Sequence, residues 1–585
     1  MWELDFASLL LILSGFTSLL ENWHLFLILG FSQVAASTVI AWLLENTGGL
    51  EQDILTSLSF VGGMLVLVIV VLALAWLKIK PSPNYLPPLS GLLLIVLLWQ
   101  ARQLRAMFSI KTGLLALFFI FILGVRMVFI QDLLVPPYAD SIQHLQIVQD
   151  FLKPEHPAQA FYQISAGPER YYHFGFHALA SWLSGLTTSE PVLVILWLGQ
   201  YFQALAILAL YPMTRIISKN TLSAWGVVVT SGMFLSIPAY TSNWGKYPAI
   251  ASLAAIIFGL TLLYMFFEKT KQENKITHHF YWLSVLAALA AVGLHTRTMV
   301  VLTWAFLLGT LIYKIKAKNN KTISLASIKS DWELISMTAI SLAVFLNVTL
   351  FLLEVPLHSQ VYILLFGISM VSFYINFPLT FIIIAWFLGL GLVALFPIFS
   401  KDFIVLMDRP YLVILSFIPI SLSVGICISG AIKYKLAWRQ PLFLLLLIVG
   451  LANVLFLQNH KPDECCIFLN DDDLFSFVWM QQNLPASALV GVAATGQPGN
   501  YLPADGGGWT EPMLGIPTRR LFHQTNFATA NSSLCQAGLT HIYVDGLPNS
   551  FDALALLNAD AKHVFGLGNV SIYQLDCDGE SVLQN

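Results

Sequence analysis

The sequence predicts an all-α polytopic membrane protein with about 13–15 transmembrane helices, interfacial helices in one large loop and a small C-terminal α/β domain. Three observations carry this reading. Of 585 residues, 57% are hydrophobic and 10% charged, against roughly 25% charged in a soluble globular chain. The apolar residues fall in nearly charge-free runs of about 17–25, the length that spans a bilayer as helix. The composition then changes sharply near residue 458, where polar, Gly-rich sequence with short strand-like stretches begins. A soluble enzyme, a fibrous protein and a disordered scaffold are excluded, and a formal net charge of −3 offers no basic footprint for nucleic acid.

Taken in order, the runs lie at 4–20, 23–44, 55–77, 86–104, 112–131, 192–217, 222–240, 248–267, 281–294, 298–313, 332–353, 359–375, 377–399, 411–430 and 438–457. The first follows acidic residues and lacks the basic n-region and small-residue cleavage site of a signal peptide, so it reads as a retained helix. Loop charge sets the orientation. Arg102, Arg105, Lys111, Arg215, Lys219, Lys269, Lys271, Lys275, Lys314, Lys316, Lys318, Lys321, Lys329, Lys433, Lys435 and Arg439 fall in one alternating set of loops. The opposite set holds isolated basic residues, with Lys78 and Lys80 the one poor fit. The N-terminus and the basic loops are therefore expected in the cytoplasm, and the segment 132–190 and the tail outside it.

Four of the five cysteines, Cys465, Cys466, Cys535 and Cys577, follow the last apolar run. They could form a disulfide in an oxidising compartment, in a pairing the spacing does not fix. In the tail, Asp471-Asp472-Asp473 before 474–483 reads as a helix N-terminus, since acidic side chains cap amides and suit the dipole there; the sharper alternative is a metal cluster. Residues 488–493, 541–544 and 570–575 follow as extended segments. Between the first two lies a Gly/Pro-rich loop with Gly506-Gly507-Gly508-Trp509.

The segment after the fifth run holds the densest chemistry. Pro136-Pro137 ends the membrane helix, and Asp140 or Ser141 can cap a short amphipathic helix through Leu152. Asp140 and His144, four apart, share a face. The plain alternative makes Asp140 only a cap and His144 a solvated surface residue. Glu169 to His177 brings Tyr171, Tyr172, His173, Phe174, Phe176 and His177 together, which suits either an interfacial anchoring belt or a sugar pocket of flat faces and donors. Asn243 to Pro248 and His295-Thr296-Arg297-Thr298 are tight connections on the same side, each with a cation. Lys246 and Arg297 run against the charge bias, so they either meet an anion such as a lipid phosphate or snorkel to headgroups. Arg126, inside the fifth run, must face the protein interior, and Asp132 is a candidate partner.

In these residues the chain resembles the GT-C superfamily of integral membrane glycosyltransferases. Pro-Pro-Tyr-Ala-Asp-Ser-Ile-Gln-His, with Asp140, matches the family's acidic position just outside a membrane helix. Tyr172-His173-Phe174-Gly175-Phe176-His177 resembles its aromatic-Gly-x-His stretch, and Gly293 to Thr298 is similar to a His-x-x-Thr connection of bacterial members. The resemblance covers about 112–313 well and the tail loosely. It departs in one respect: the acidic loop follows about the fifth helix rather than the first, which makes 1–111 an added set of helices before a core at 112–457 and a tail at 458–585.

The resemblance implies inverting transfer from a polyprenyl-phosphate sugar to a glycan, lipid or protein acceptor at a bacterial plasma membrane. Asp140 would be the base, with Lys246 and Arg297 on the leaving phosphate. His144, Tyr172, His173, His177 and His295 would line the substrate pocket, and Arg126 would orient the Asp140 loop from below. Some members use a divalent metal and others none, and no ligand cluster in this sequence decides. Two further classes remain open: a transporter or flippase of a lipid-linked glycan, and a non-catalytic assembly protein in which the Asp140 loop is only a turn.

Overall fold

The computed structural model describes residues 6–45, 50–153, 173–235, 237–273, 278–307, 409–433, 461–497 and 500–577. Tyr172 and the expected spans at 332–353, 359–375, 377–399 and 438–457 lie outside them.

The N-terminal helices are α1 (Phe6–Glu21), α2 (Trp23–Glu45), α3 (Gln52–Trp76), α4 (Leu86–Trp99), α5 (Ala101–Met107) and α6 (Ile110–Met127). After them come α7 (Ala139–Leu152), α8 (Gly175–Thr187), α9 (Pro191–Ser218), α10 (Thr221–Met233), α11 (Tyr247–Glu273) and α12 (His278–Leu294). A helix α13 runs over Thr298–Leu307 and α14 over Arg409–Lys433. Among the described residues five stretches are long and apolar enough to cross a membrane: Trp23–Glu45, Gln52–Trp76, Ile110–Ile130, Pro191–Ser218 and Tyr247–Phe266. The chain is an integral membrane protein by this measure.

Helix α9 is apolar on every side, the pattern of a central helix. It packs against α3, α6, α10, α11 and α14 and buries Trp197, Tyr201, Phe202 and Tyr211. Helix α4 is the opposite case: it has no buried residue and exposes Leu92, Leu94, Ile95, Leu98 and Trp99. An apolar face of that kind is stable against lipid and a liability in water. Two expected spans are broken. The fourth divides at Gln100 into α4 and α5. The seventh stops as a helix at Met233 and continues as a 3-10 turn over Ala239–Trp244. Apolar composition set those runs, but backbone bonding closed the helices earlier.

The C-terminal region is α/β. Helix α15 (Asp471–Asn483) starts as the acidic triplet predicts: the Asn470 side chain accepts from the amides of Asp472 and Asp473, while Asp473 accepts from the Asn470 amide. The sheet runs β2 (Asn500–Pro503), β1 (Val490–Gln497), β4 (His541–Val544), β6 (Val570–Gln574) and β5 (Lys562–Leu567), with β3 (Thr518–Phe522) also on β1. β1 is parallel to β3 and β4, and the other pairings are antiparallel. Every residue of β4 is buried, which suits its place inside the sheet. A disulfide joins Cys535 to Cys577; by loop-closure entropy it contributes about 4 kcal/mol.

This region docks directly on α7. Gln149 Nε2 donates to the Pro512 carbonyl at 2.7 Å, and a Cβ built on Gly508 would stand 2.5 Å from Pro503 and 2.8 Å from Ile142. The Gly-Gly-Gly-Trp segment is therefore a close-approach seam, and Trp509 is fully buried rather than offered as a stacking platform for an acceptor. Replacing Gly508 by Val should separate the two parts. Limited proteolysis of the full chain is expected to cut between the tail and the bundle faster in the variant than in the parent, and equal rates would contradict the seam.

Candidate functional site

The site forms where α7, the turn before α11, the start of α8 and the α12–α13 connection meet. Helix α6 ends at Met127 and the 3-10 turn after it at Ile130, before Pro136 and Pro137 are reached, so the two prolines do not stop it. The backbone enters α7 through Tyr138, a non-glycine residue at φ +70°. The Tyr138 amide donates to the Cys466 carbonyl at 2.9 Å, and its ring lies against Phe468. Neither Asp140 nor Ser141 caps this helix. Tyr138 holds the cap position without a side-chain bond, and Ser141 Oγ donates back to the Pro137 carbonyl at 2.6 Å. Asp140, in the first turn, is left to act outward.

Its partner is Lys246. The ammonium donates to Asp140 Oδ2 across 106 positions of sequence, with the two side chains 20% and 25% exposed. The anion expected beside Lys246 is thus a carboxylate of the same chain. Gly245 makes the approach possible: it sits at φ +62°, and a Cβ there would strike Ser141 Oγ and come within 2.9 Å of the Pro137 carbonyl.

His144 completes a two-point grip on the same turn. It is buried, not solvated. Its Nε2 lies 3.0 Å from the Gly245 carbonyl and its Nδ1 2.9 Å from His177 Nε2. A carbonyl can only accept, so His144 carries its proton on Nε2; its Nδ1 then accepts from His177 Nε2–H. Asp140 and His144, one turn apart, hold the ammonium and the carbonyl of adjacent residues. Burial first, then the Lys246 charge, lowers His144 to about 3. Burial also holds His173, His177 and His295 well below the usual histidine value. The imidazoles are neutral, as the tautomer argument requires.

The remaining histidines continue the chain of rings. His173 is 4.4 Å from His295 and His295 is 4.3 Å from Tyr411, centroid to centroid. The two segments approach because Gly175 lies against the Gly293 carbonyl. Arg297 is close enough to depress both His173 and His295. Asp140, His144, His173, His177, Lys246, His295 and Arg297 therefore belong to one cluster. Among the described residues no group of three or more His, Cys, Asp or Glu could hold a metal ion.

Arg126 lies below this cluster in the bundle. Asp132 is exposed and is not its partner. The guanidinium donates to Gln200 Oε1 from Nε at 3.2 Å and from Nη2 at 3.1 Å. Gln203 Nε2 donates to the same oxygen and to Ser242 Oγ. Arg126 thus reaches, through the two glutamines, the 239–244 turn that leads to Lys246. Gln200, Gln203, Ser242 and Tyr411 were missed in the sequence. Two glutamines three apart inside an apolar run were the available signal; Tyr411, at the head of its run, gave none.

At the other side of the docking seam, Asp473, Asp505 and Asp545 are buried in the tail. Asp505 accepts from Gly507 N–H and Ser550 Oγ, Asp545 from Gly506 N–H and Leu547 N–H, and Asp473 from Tyr543. Burial, and next Asp545, pushes Asp505 well up; burial raises Asp473 and takes Asp545 to about 6.

Neither protein-family models nor curated proteins give a match to this sequence.

The raised carboxyls have a signed consequence. The folded tail binds protons more tightly than the unfolded chain, so this contribution to stability is full below the ordinary Asp value of 3.8 and is lost as pH rises through about 6. Amide protection of β1 and β4 in the full-length protein should fall between pH 4 and 7, and Asp545→Asn should flatten the slope. Protection that rises with pH over that range would contradict the assignment.

Proposed function

We propose that the chain is a membrane glycosyltransferase that moves a sugar, with inversion, from a polyprenyl-phosphate donor to an envelope acceptor outside the cytoplasm of a bacterial cell. The observation that supports this best is the Asp140–Lys246 pair, half-buried where the helix bundle, α7 and the tail meet. It sets one carboxylate beside one cation, the minimum the reaction needs.

In this reading a donor phosphate draws the Lys246 ammonium from Asp140, with Arg297 as the second cation near the leaving group. The freed carboxylate takes the proton from the acceptor hydroxyl as that oxygen bonds to the anomeric carbon. The bond from that carbon to the phosphate oxygen breaks, and its electron pair leaves with the phosphate. A phosphate is a good enough leaving group that the paired carboxylates of glycosidases are not required. Neutral His144 and His177 keep the Lys246 turn in place, while His173 and His295 offer polar rings to sugar or acceptor. Arg126 steadies the turn from beneath.

A lipid-linked glycan transporter is the second reading, favoured by the polar layer of Arg126, Gln200 and Gln203 inside the bundle. The two separate in reconstituted liposomes, where a transporter moves the donor without altering it.

Asp140→Asn should lower transfer by about 10²–10⁴-fold, and Lys246→Ala by about 10²–10³-fold. Mass spectrometry of glycolipids and envelope glycans, comparing a deletion strain with strains restored by each variant, reads the effect. Full transfer by a well-folded Asp140→Asn protein would remove Asp140 from the role.

A further inference from the structure

Cys465 and Cys466 stand at the point where the tail grips both halves of the site. The short turn over Glu464–Cys466 accepts the Tyr138 amide on the Cys466 carbonyl at the entry to the Asp140 helix. Three residues before Cys466, the Asp463 amide donates to Asn243 Oδ1 at 2.9 Å, in the turn that leads to Lys246. The turn itself is closed by the Cys466 amide on the Asp463 carbonyl at 3.0 Å. One short segment is thus bonded to the backbone before Asp140 and to the side chain just before Lys246.

Both cysteines are free thiols on adjacent residues, Cys465 exposed and Cys466 buried. The same region already holds the Cys535–Cys577 disulfide, the mark of an oxidising compartment. We propose that Cys465 and Cys466 form a reversible vicinal disulfide that acts as a redox latch on the Asp140–Lys246 site.

The oxidant is a low-molecular-weight disulfide. The Cys465 thiolate attacks one of its sulfurs, forming a mixed disulfide and releasing one thiol. Cys466 then loses its proton and attacks Cys465 Sγ, releasing the second thiol. The protein gives up two protons and two electrons, and the small disulfide takes them up to become two thiols. Burial, then the neighbouring Cys465, pushes the Cys466 thiol up, so the exposed Cys465 reacts first.

Ring closure has a structural cost that supplies the latch. Adjacent Cα atoms stand about 3.8 Å apart across a trans peptide, whereas ordinary disulfides join Cα atoms roughly 4.4–6.8 Å apart. Rotating the 465–466 peptide cannot reach that range, since the cis form brings the Cα atoms to about 2.9 Å, so ring closure shifts the backbone angles on both sides of that peptide. That shift opens the Cys466 to Asp463 bond and moves the Cys466 carbonyl off the Tyr138 amide. Strained disulfides of this kind are the readily reduced, regulatory ones, so the change is reversible.

The test uses the full-length protein in membranes, treated with oxidised glutathione, alkylated, digested and weighed. The peptide containing both cysteines should be lighter by two hydrogens and unalkylated, with Cys535–Cys577 unchanged. Amide exchange over 138–144 should rise roughly tenfold on oxidation and return with reductant, and Cys465→Ser should abolish both effects. Two alkylated thiols, or glutathione retained on Cys465 alone, would overturn the disulfide. A closed ring with unchanged exchange over 138–144 would overturn the latch. None of these readouts depends on sugar transfer.

Discussion

The arrangement of the site depends on one buried contact, the His144–His177 hydrogen bond with its extension to the Gly245 carbonyl. Three segments far apart in sequence meet in it: the α7 helix, the start of α8 and the turn before α11. Buried polar groups are costly unless bonded, so each ring nitrogen in this chain of donors fixes the next. His144 can hold Gly245 only in the tautomer that also accepts from His177. Loss of the His144 ring removes the bonded partner of both His177 Nε2 and the Gly245 carbonyl at once. Asp140 and Lys246 are neighbours because this frame places their backbones side by side.

The second constraint is the shortage of water around α7. Its apolar residues Ile142, Leu145, Ile147, Val148 and Phe151 are all buried, which one face of packing would not accomplish. The bundle takes one side through α8 and the tail takes another through Gln149, Gly508 and Pro512. An interfacial helix thus becomes a largely internal one, with Asp140, Gln143, Gln146, Gln149 and Asp150 left half-open along it. The tail is a structural lid on the helix as well as a separate folded unit, with its buried carboxyls and its cysteine pair both next to the seam.

Much of this was legible beforehand. The helix at 139–152, the aromatic-His start of α8 and the capped acidic triplet depend on local patterns, periodicity and capping chemistry, which a sequence displays. Strands β4 and β6 were visible because they are apolar and central. β2, β3 and β5 were not, because edge or polar segments such as Thr518-Arg519-Arg520 gain their extended form from a neighbour. His144 looked like a surface residue for a related reason: amphipathic spacing shows which side of a helix packs, but not whether a second body covers the other side.

The sequence by itself determined that the protein lives in a membrane, because charge is expensive in lipid and so few charges could not cover a soluble body. It also led to the expectation that Asp140, Lys246, Arg297 and the histidines share one side of the spans. Only the tertiary structure decided that Asp140 answers Lys246 and that Arg126 answers Gln200 rather than Asp132. It also decided that Cys466 holds the entry to the Asp140 helix. These pairings join residues 74 and 106 positions apart, or pass through a backbone carbonyl, and neither kind of contact leaves a trace in the spacing of a single chain.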